Sequence, residues 1–312
     1  MLNIKTIFVI LAIIVSACYM GMGKPPEPVV NRIVSREPQS TLKVWALSDI
    51  QPKGDGQRKE LQNAIEDINE NVPDVDLAIV AGDIVDDADE SDFDWYVSTK
   101  PSSYIEDWYE LAGNHDLKLD RGEGYKRKIR QDFYYSFTRG NILFILMSDE
   151  ERGKPTEISD EAFEWWKDLV INNQDKIIVV ATHAPLNGSR IPFSVYEDRQ
   201  IKESERFTEV LEKHKVDIWL SGHLHLPHWL SGNVNRVEKY NGTIFVNLGG
   251  IRTEFGGLKP SESRIVIFTC GSDRVLIRSR NHTNKKYNQN FDAVFDLSKK
   301  YKCESQFVRR SS

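Results

Sequence analysis

The stretch VDLAIVAGDIVD, residues 75–86, joins an apolar run to a tight polar cluster, Gly82-Asp83-Ile84-Val85-Asp86. Short runs of Val, Ile and Leu are what strands covered on both faces look like. The same arrangement recurs four times. Leu42–Leu47 runs into Ser48-Asp49-Ile50-Gln51, and Tyr109–Ala112 into Gly113-Asn114-His115-Asp116. Ile177–Ala181 ends in Thr182-His183-Ala184-Pro185, and Ile218–Leu220 in Ser221-Gly222-His223-Leu224-His225. Ligands of open α/β sheets gather at the carboxyl ends of strands. Five such ends therefore deliver Asp49, Gln51, Asp83, Asn114 and three of the four clustered histidines to one rim, with His115 beside them.

Helical patterns lie between several of these runs. Residues 57–71 carry apolar side chains at 61, 64, 65 and 68, and Ser159 precedes Ala162, Phe163, Trp166, Leu169 and Val170 as an N-cap should. Residues 205–214 make a third helix. The later runs Thr243–Leu248, Arg264–Cys270 and Arg274–Ser279 have no helix between them and are expected to pair mostly antiparallel. The fold class is α/β, one domain over residues 42–280 with sheets inside and helices outside. Residues 281–312, polar and net basic, read as a solvated tail.

Composition narrows the function. The 312 residues carry 41 Lys and Arg against 47 Asp and Glu, a formal net charge of −6, with 40% hydrophobic residues. A mildly acidic chain has no overall attraction for a polyanion, so no nucleic-acid surface is expected. No apolar run reaches the roughly 18 residues of a spanning helix. Residues 1–17 combine Lys5, an apolar run from Ile7 to Val15, and Ser16-Ala17 before Cys18, which is the form of an export signal. Val15-Ser16-Ala17-Cys18 resembles the lipobox of bacterial lipoproteins, which implies lipidation at Cys18, a flexible tether over residues 18–41 and anchoring at the cell envelope. In an oxidising compartment Cys270 and Cys303 would pair or stand as two unrelated thiols.

Taken in order, the clusters resemble the calcineurin-like metallophosphoesterase superfamily, with its pattern D-x-H, G-D-x-x-D, G-N-H-D, a lone His and G-H-x-H. The resemblance covers about residues 42–280. It implies a four-layer α/β/β/α sandwich with a mixed two-sheet core and a pair of divalent ions. One ion would take Asp49, Gln51, Asp83 and His225; the second would take Asp83 as a bridge, Asn114, His183 and His223. His115 would be the catalytic imidazole, oriented by Asp116, with Asp86 behind the ligands. A metal pair acidifies a water to serve as nucleophile and offsets charge on the phosphoryl group. His115 would protonate the leaving oxygen or neutralise the phosphorus centre.

Gln51 departs from the pattern, which has His. An amide oxygen is a harder, weaker donor than imidazole and leans the site toward Mn²⁺ or Mg²⁺ rather than Fe or Zn. The D-x-Q form resembles branches of that superfamily that include Mn-dependent diphosphatases of nucleotide-sugar type, which implies phosphodiester or pyrophosphate substrates slightly over monoesters. Residues 51–58, 117–130, 187–199 and 226–237 follow the clusters and are expected to wall the site around a small phosphorylated substrate. Arg190, Arg252 and His228 are candidates to bind it, whereas Phe193, Tyr196 and Trp229 are expected in the core. Residues 86–94, rich in Asp, read as a negative rim. The rival reading is a lipoprotein that keeps the fold and binds metal or a phosphate ligand without turnover. Oligomeric state is not legible.

Overall fold

The computed structural model describes residues 40–150 and 156–303. The export signal, Cys18 and the tether up to residue 39 lie outside the described residues. Thirteen strands and five α-helices are described. Sheet one contains β1 (Thr41–Leu47), β2 (Leu77–Ala81), β3 (Asp107–Leu111), β10 (Glu262–Thr269), β11 (Arg274–Asn281), β12 (Lys286–Tyr287) and β13 (Ala293–Asp296). Its order is β12-β11-β10-β1-β2-β3, with β13 also on β11. Sheet two runs β4-β5-β6-β7-β9-β8, from β4 (Tyr134–Arg139), β5 (Ile142–Met147), β6 (Ile177–Thr182), β7 (Ile218–Ser221), β8 (Val234–Val237) and β9 (Thr243–Asn247). Both sheets are mixed.

Strand periodicity explains the layers. Side chains at Leu42, Val44 and Ala46 face one way and meet Phe144, Val179, Leu220 and Val246 of the other sheet in a central core. The alternate residues Trp45 and Leu47 face the opposite way, onto Leu61, Ala64, Ile65 and Ile68 of α1 (Asp55–Asn71). Ile145, Val180 and Trp219 likewise pack outward on Phe163 and Trp166 of α4 (Asp160–Asn172) and Phe207 of α5 (Ser204–Leu211). Both faces of each sheet are buried, so the strands read as continuous apolar runs. The result is the expected four-layer α/β/β/α sandwich. Ser159 caps α4, its hydroxyl accepting from the Ala162 amide at 3.2 Å. The acidic stretch opens α2 (Glu90–Thr99) with Asp89 as its cap, and Asp92 pairs with Arg58 at 2.6 Å. Lys128, at the end of α3 (Glu123–Lys128), pairs with Asp94 at 2.7 Å.

The later strands pair mostly antiparallel, as expected, β10 with β1 and β11, and β9 with β8; Thr243–Asn247 lies parallel only to β7. One expectation is corrected. Residues 281–303 are no solvated tail: β12 and β13 pair with β11, and Leu297 and Tyr301 enter the central core. Their polar sequence concealed this, because the edge is held by ion pairs such as Arg278–Asp292 at 2.9 Å. Cys303 is joined to Cys270 by a disulfide.

Candidate metal centre and catalytic cleft

The loops after β1, β2, β3, β6 and β7 turn inward at one end of the sandwich. Asp49, Asp83, His223 and His225 all have left-handed backbone, with φ of 54°, 53°, 66° and 49°. Such conformations are uncommon for non-glycine residues and concentrate where geometry serves a site. Close approach dictates the neighbouring glycines. Gly82 has φ of 81°, and a Cβ on Gly222 would lie 1.8 Å from Ser48 Oγ and 2.6 Å from Asp49 Oδ2.

The side chains converge in two overlapping groups, Asp83-His183-His223 and Asp49-Asp83-His225, with donor atoms in each within 4.8 Å of one another. Asp83 belongs to both. His183 Nδ1 donates to the Ala81 carbonyl at 2.9 Å, which leaves Nε2 as the lone-pair nitrogen of the neutral ring. That nitrogen lies 3.2 Å from Asp83 Oδ2 and 3.2 Å from His223 Nδ1. Two imidazole nitrogens and a carboxylate approach this closely when a cation lies among them, a proton on His183 in the metal-free protein or a metal ion in its place. The buried Oδ1 of Asn114 also has no hydrogen-bond partner among the described residues. The donor set therefore fits divalent cations.

The electrostatics agree. Burial alone would raise Asp83, yet His183 and His115 hold it far below the usual carboxylate range. Burial opposes protonation of His183, but Asp83, Asp149 and Asp49 push it well up. His223 falls to about 4, through burial and then the charge of His183. The centre is a buried carboxylate pair demanding positive charge.

Gln51 is buried beside it. Its amide is best satisfied with the nitrogen donating to Asp83 Oδ2 at 2.8 Å and the oxygen accepting from Arg252 Nη1 at 2.9 Å. A half-turn of the amide presents the oxygen to the Asp83 side instead. Arg252, expected to bind substrate, is buried and points inward, its Nε 3.0 Å from Glu254 Oε1. Glu254 also holds Lys259 at 2.6 Å and stands 3.6 Å from His225 Nδ1. Burial would raise its carboxyl, but His225 and Lys259 keep it at about 2.

His115 is positioned by Asp86, not by Asp116. Its Nδ1 donates to the Asp86 carbonyl at 2.7 Å, with the Asp86 carboxylate 3.1 Å away as a nearby charge. Asp116 is fully buried and ties the ligand loops together. Its Oδ2 accepts from Gly113 N at 2.8 Å and Ile84 N at 3.2 Å, and its Oδ1 from Val85 N at 2.9 Å. Burial, and then Asp83, raise its carboxyl to about 7. Adjacent residues on a loop point apart, so sequence proximity misled.

Three further expectations fail. His228 is buried away from the cleft, with Nδ1 2.7 Å from Ser279 Oγ and Nε2 3.0 Å from the Leu248 carbonyl. Arg190 is exposed and does not line the cleft. Phe193, Tyr196 and Trp229 are about half exposed rather than core.

The cleft itself holds about 240 Å³ and is lined by Gln51, Asp83, Asn114, His115, His223 and His225, together with Arg199, Leu224, Glu254 and Phe255. The last four were not singled out in the sequence. Arg199 lies in an expected wall, whereas the loop after β9 supplied Arg252 as a candidate but, with no His or Asp at its strand end, was not expected to wall the site.

The family profile described as calcineurin-like phosphoesterase matches residues 42–227. The chain belongs to that family. Its relatives are distant. It is 23% identical over 216 residues to "Probable purple acid phosphatase 20" of Arabidopsis thaliana, covering 60% of this chain and 48% of that protein. A "Probable cyclic nucleotide phosphodiesterase" of Moraxella catarrhalis is 25% identical over 211 residues, covering 61% of this chain and 73% of that protein. Among solved structures, a purple acid phosphatase from yellow lupin (Lupinus luteus) seeds superposes with a TM-score of 0.63 at 19% identity, over 86% of this chain and 57% of that one. The chain thus spans about half the length of the plant phosphatases it matches, and its fold is theirs. The family is one of phosphoric-ester hydrolases that use a pair of divalent metals.

Proposed function

We propose that this chain is an exported, membrane-anchored phosphodiesterase or pyrophosphatase that works with two divalent ions, Mn²⁺ foremost. The observation that carries the reading is the pair of donor groups sharing Asp83 at the floor of a cleft that also presents His115. Asp49, Gln51, Asp83 and His225 would hold one ion, and Asp83, Asn114, His183 and His223 the other. When bound, the ions supply positive charge for the phosphoryl oxygens and acidify water. His115, its Nδ1 proton committed to the Asp86 carbonyl, keeps Nε2 to protonate the departing oxygen.

The D-x-Q motif and the phosphodiesterase name carried by the bacterial relative support diester or pyrophosphate substrates over monoesters. Envelope anchoring is supported by the Cys18 motif and by the Cys270–Cys303 disulfide, a bond that persists in oxidising compartments. The test is hydrolysis of bis-p-nitrophenyl phosphate and p-nitrophenyl phosphate by metal-stripped full chain given Mn²⁺, Mg²⁺ or Zn²⁺. Diester cleavage that requires Mn²⁺ and disappears in His115→Ala, with metal content retained, is expected. Bound ions without hydrolysis of either ester would instead favour the binding lipoprotein.

A further inference from the structure

Arg199 and Phe255 both line the cleft, each beside a different donor group of the metal centre. Arg199 closes a short 3-10 turn, residues 197–199, in the loop after β6. The carbonyl of the preceding Asp198 lies against the His223 ring, so this turn borders the Asp83-His183-His223 group. Phe255 follows Glu254, which stands 3.6 Å from His225, and so borders the Asp49-Asp83-His225 group.

Both side chains are poised for a ligand rather than for the fold. Among the described residues lining the cleft, Arg199 is the one Lys or Arg. Its guanidinium is 43% exposed, and its nearest acid, Asp198, is 3.8 Å away, too loose to hold it. Arg252, by contrast, is buried, with Nε 3.0 Å from Glu254 Oε1 and Nη1 within reach of the Gln51 amide. Phe255 is 78% exposed with φ of 50°, a costly conformation for a bulky residue that forgoes burial. Its loop is anchored from outside by Trp229 Nε1, which donates to the Leu258 carbonyl at 2.9 Å.

We propose that the cleft grips substrate at two separate points, Arg199 taking a second anionic group and Phe255 a planar apolar group, with the scissile phosphoryl held at the donor groups beside them. The substrate class is then a phosphoanhydride or phosphodiester carrying a ring at one end and a further anion at the other. This rests on the phosphoesterase reading, but its test reads binding. A guanidinium fork suits a second oxyanion, and ring stacking is tolerant of ring identity.

Three unreactive probes separate the parts: phenylphosphonate has a ring, phosphonoacetate a second anion, and adenosine 5′-(α,β-methylene)diphosphate both. Calorimetry on Mn²⁺-loaded full chain is expected to show Arg199→Ala weakening phosphonoacetate and the nucleotide about tenfold, with phenylphosphonate unchanged. Phe255→Ala should weaken phenylphosphonate and the nucleotide about fivefold and spare phosphonoacetate. Arg199→Lys should recover part of the loss, keeping charge without the fork. Equal loss on all three probes, or none, overturns the two-point grip, while nitrophenyl ester hydrolysis would still stand. Wild-type protein that binds no probe overturns it and the phosphoesterase reading together.

Discussion

Replacing Asp86 by Asn isolates the electrostatic half of the His115 arrangement. The Nδ1 proton goes to the Asp86 main-chain carbonyl at 2.7 Å, which the substitution leaves in place, so ring orientation survives. What disappears is a negative charge 3.1 Å from the ring, on a side chain 11% exposed. At an effective dielectric of about 50, between the surface and bulk-water limits, that charge is worth roughly 2 kcal/mol to an imidazolium. Solvent and salt screening at the ring, which is 22% exposed, reduce it. About 1–1.5 kcal/mol remains, a loss of about tenfold in kcat. His115→Ala, which removes the acid itself, should cost roughly 10²–10⁴. The assay is steady-state hydrolysis of bis-p-nitrophenyl phosphate with metal content measured on the same samples. Asp116→Asn is the control. Its oxygen can keep the Gly113 and Ile84 bonds but its NH2 then faces the Val85 N–H, so its signature is a lower melting temperature, by about 1–3 kcal/mol of stability. Unchanged kcat in Asp86→Asn, alongside a folded, stable Asp116→Asn with impaired turnover, would refute the assignment of Asp86 as the partner of His115.

Gly222→Ala places a Cβ 2.6 Å from Asp49 Oδ2 and against Ser48, so it should displace a metal donor, cutting bound Mn²⁺ in elemental analysis and destabilising the fold by about 1–3 kcal/mol. The buried Asp67, paired with Arg280 and with His282 at 2.8 Å, makes acid stability predictable. Burial would raise it, but His282 and Arg280 hold it at about 2 against 3.8, so its contribution of roughly 2 kcal/mol is full above about pH 4 and lost as pH falls toward 2. His282 is lowered by burial, so its contribution too is present at neutral pH and lost on acidification. Urea midpoints at pH 7, 4 and 2.5 should show this fall, and Asp67→Asn should flatten it between pH 4 and 2.5. Cys303→Ser opens a loop of sequence separation 33 and should cost about 3–4 kcal/mol in chemical denaturation; an unchanged midpoint would show that the bond constrains nothing.

The sequence by itself determined the sandwich and the convergence of Asp49, Asp83, His183, His223 and His225 on one cleft. Each donor sits on the first residues after an apolar strand, and strand ends are local features: period, polarity change and a glycine are all readable within ten residues. The order of those ends along the chain then places them on one rim, because parallel neighbours with helical crossovers must share a direction. Only the tertiary structure decided how the surrounding side chains point. Asp116 was adjacent to His115 in sequence but turns away to gather backbone amides, while Asp86, from another loop, takes its place. Arg252 turns inward to Gln51 and Glu254, whereas Arg199 faces the cleft. His228 lies buried against Ser279 and Leu248. The polar segment after residue 280 became an edge of the first sheet because its charges found partners on β11. In each case the deciding energy is a contact between residues distant in sequence, and composition carries no record of which face of a loop a side chain will leave.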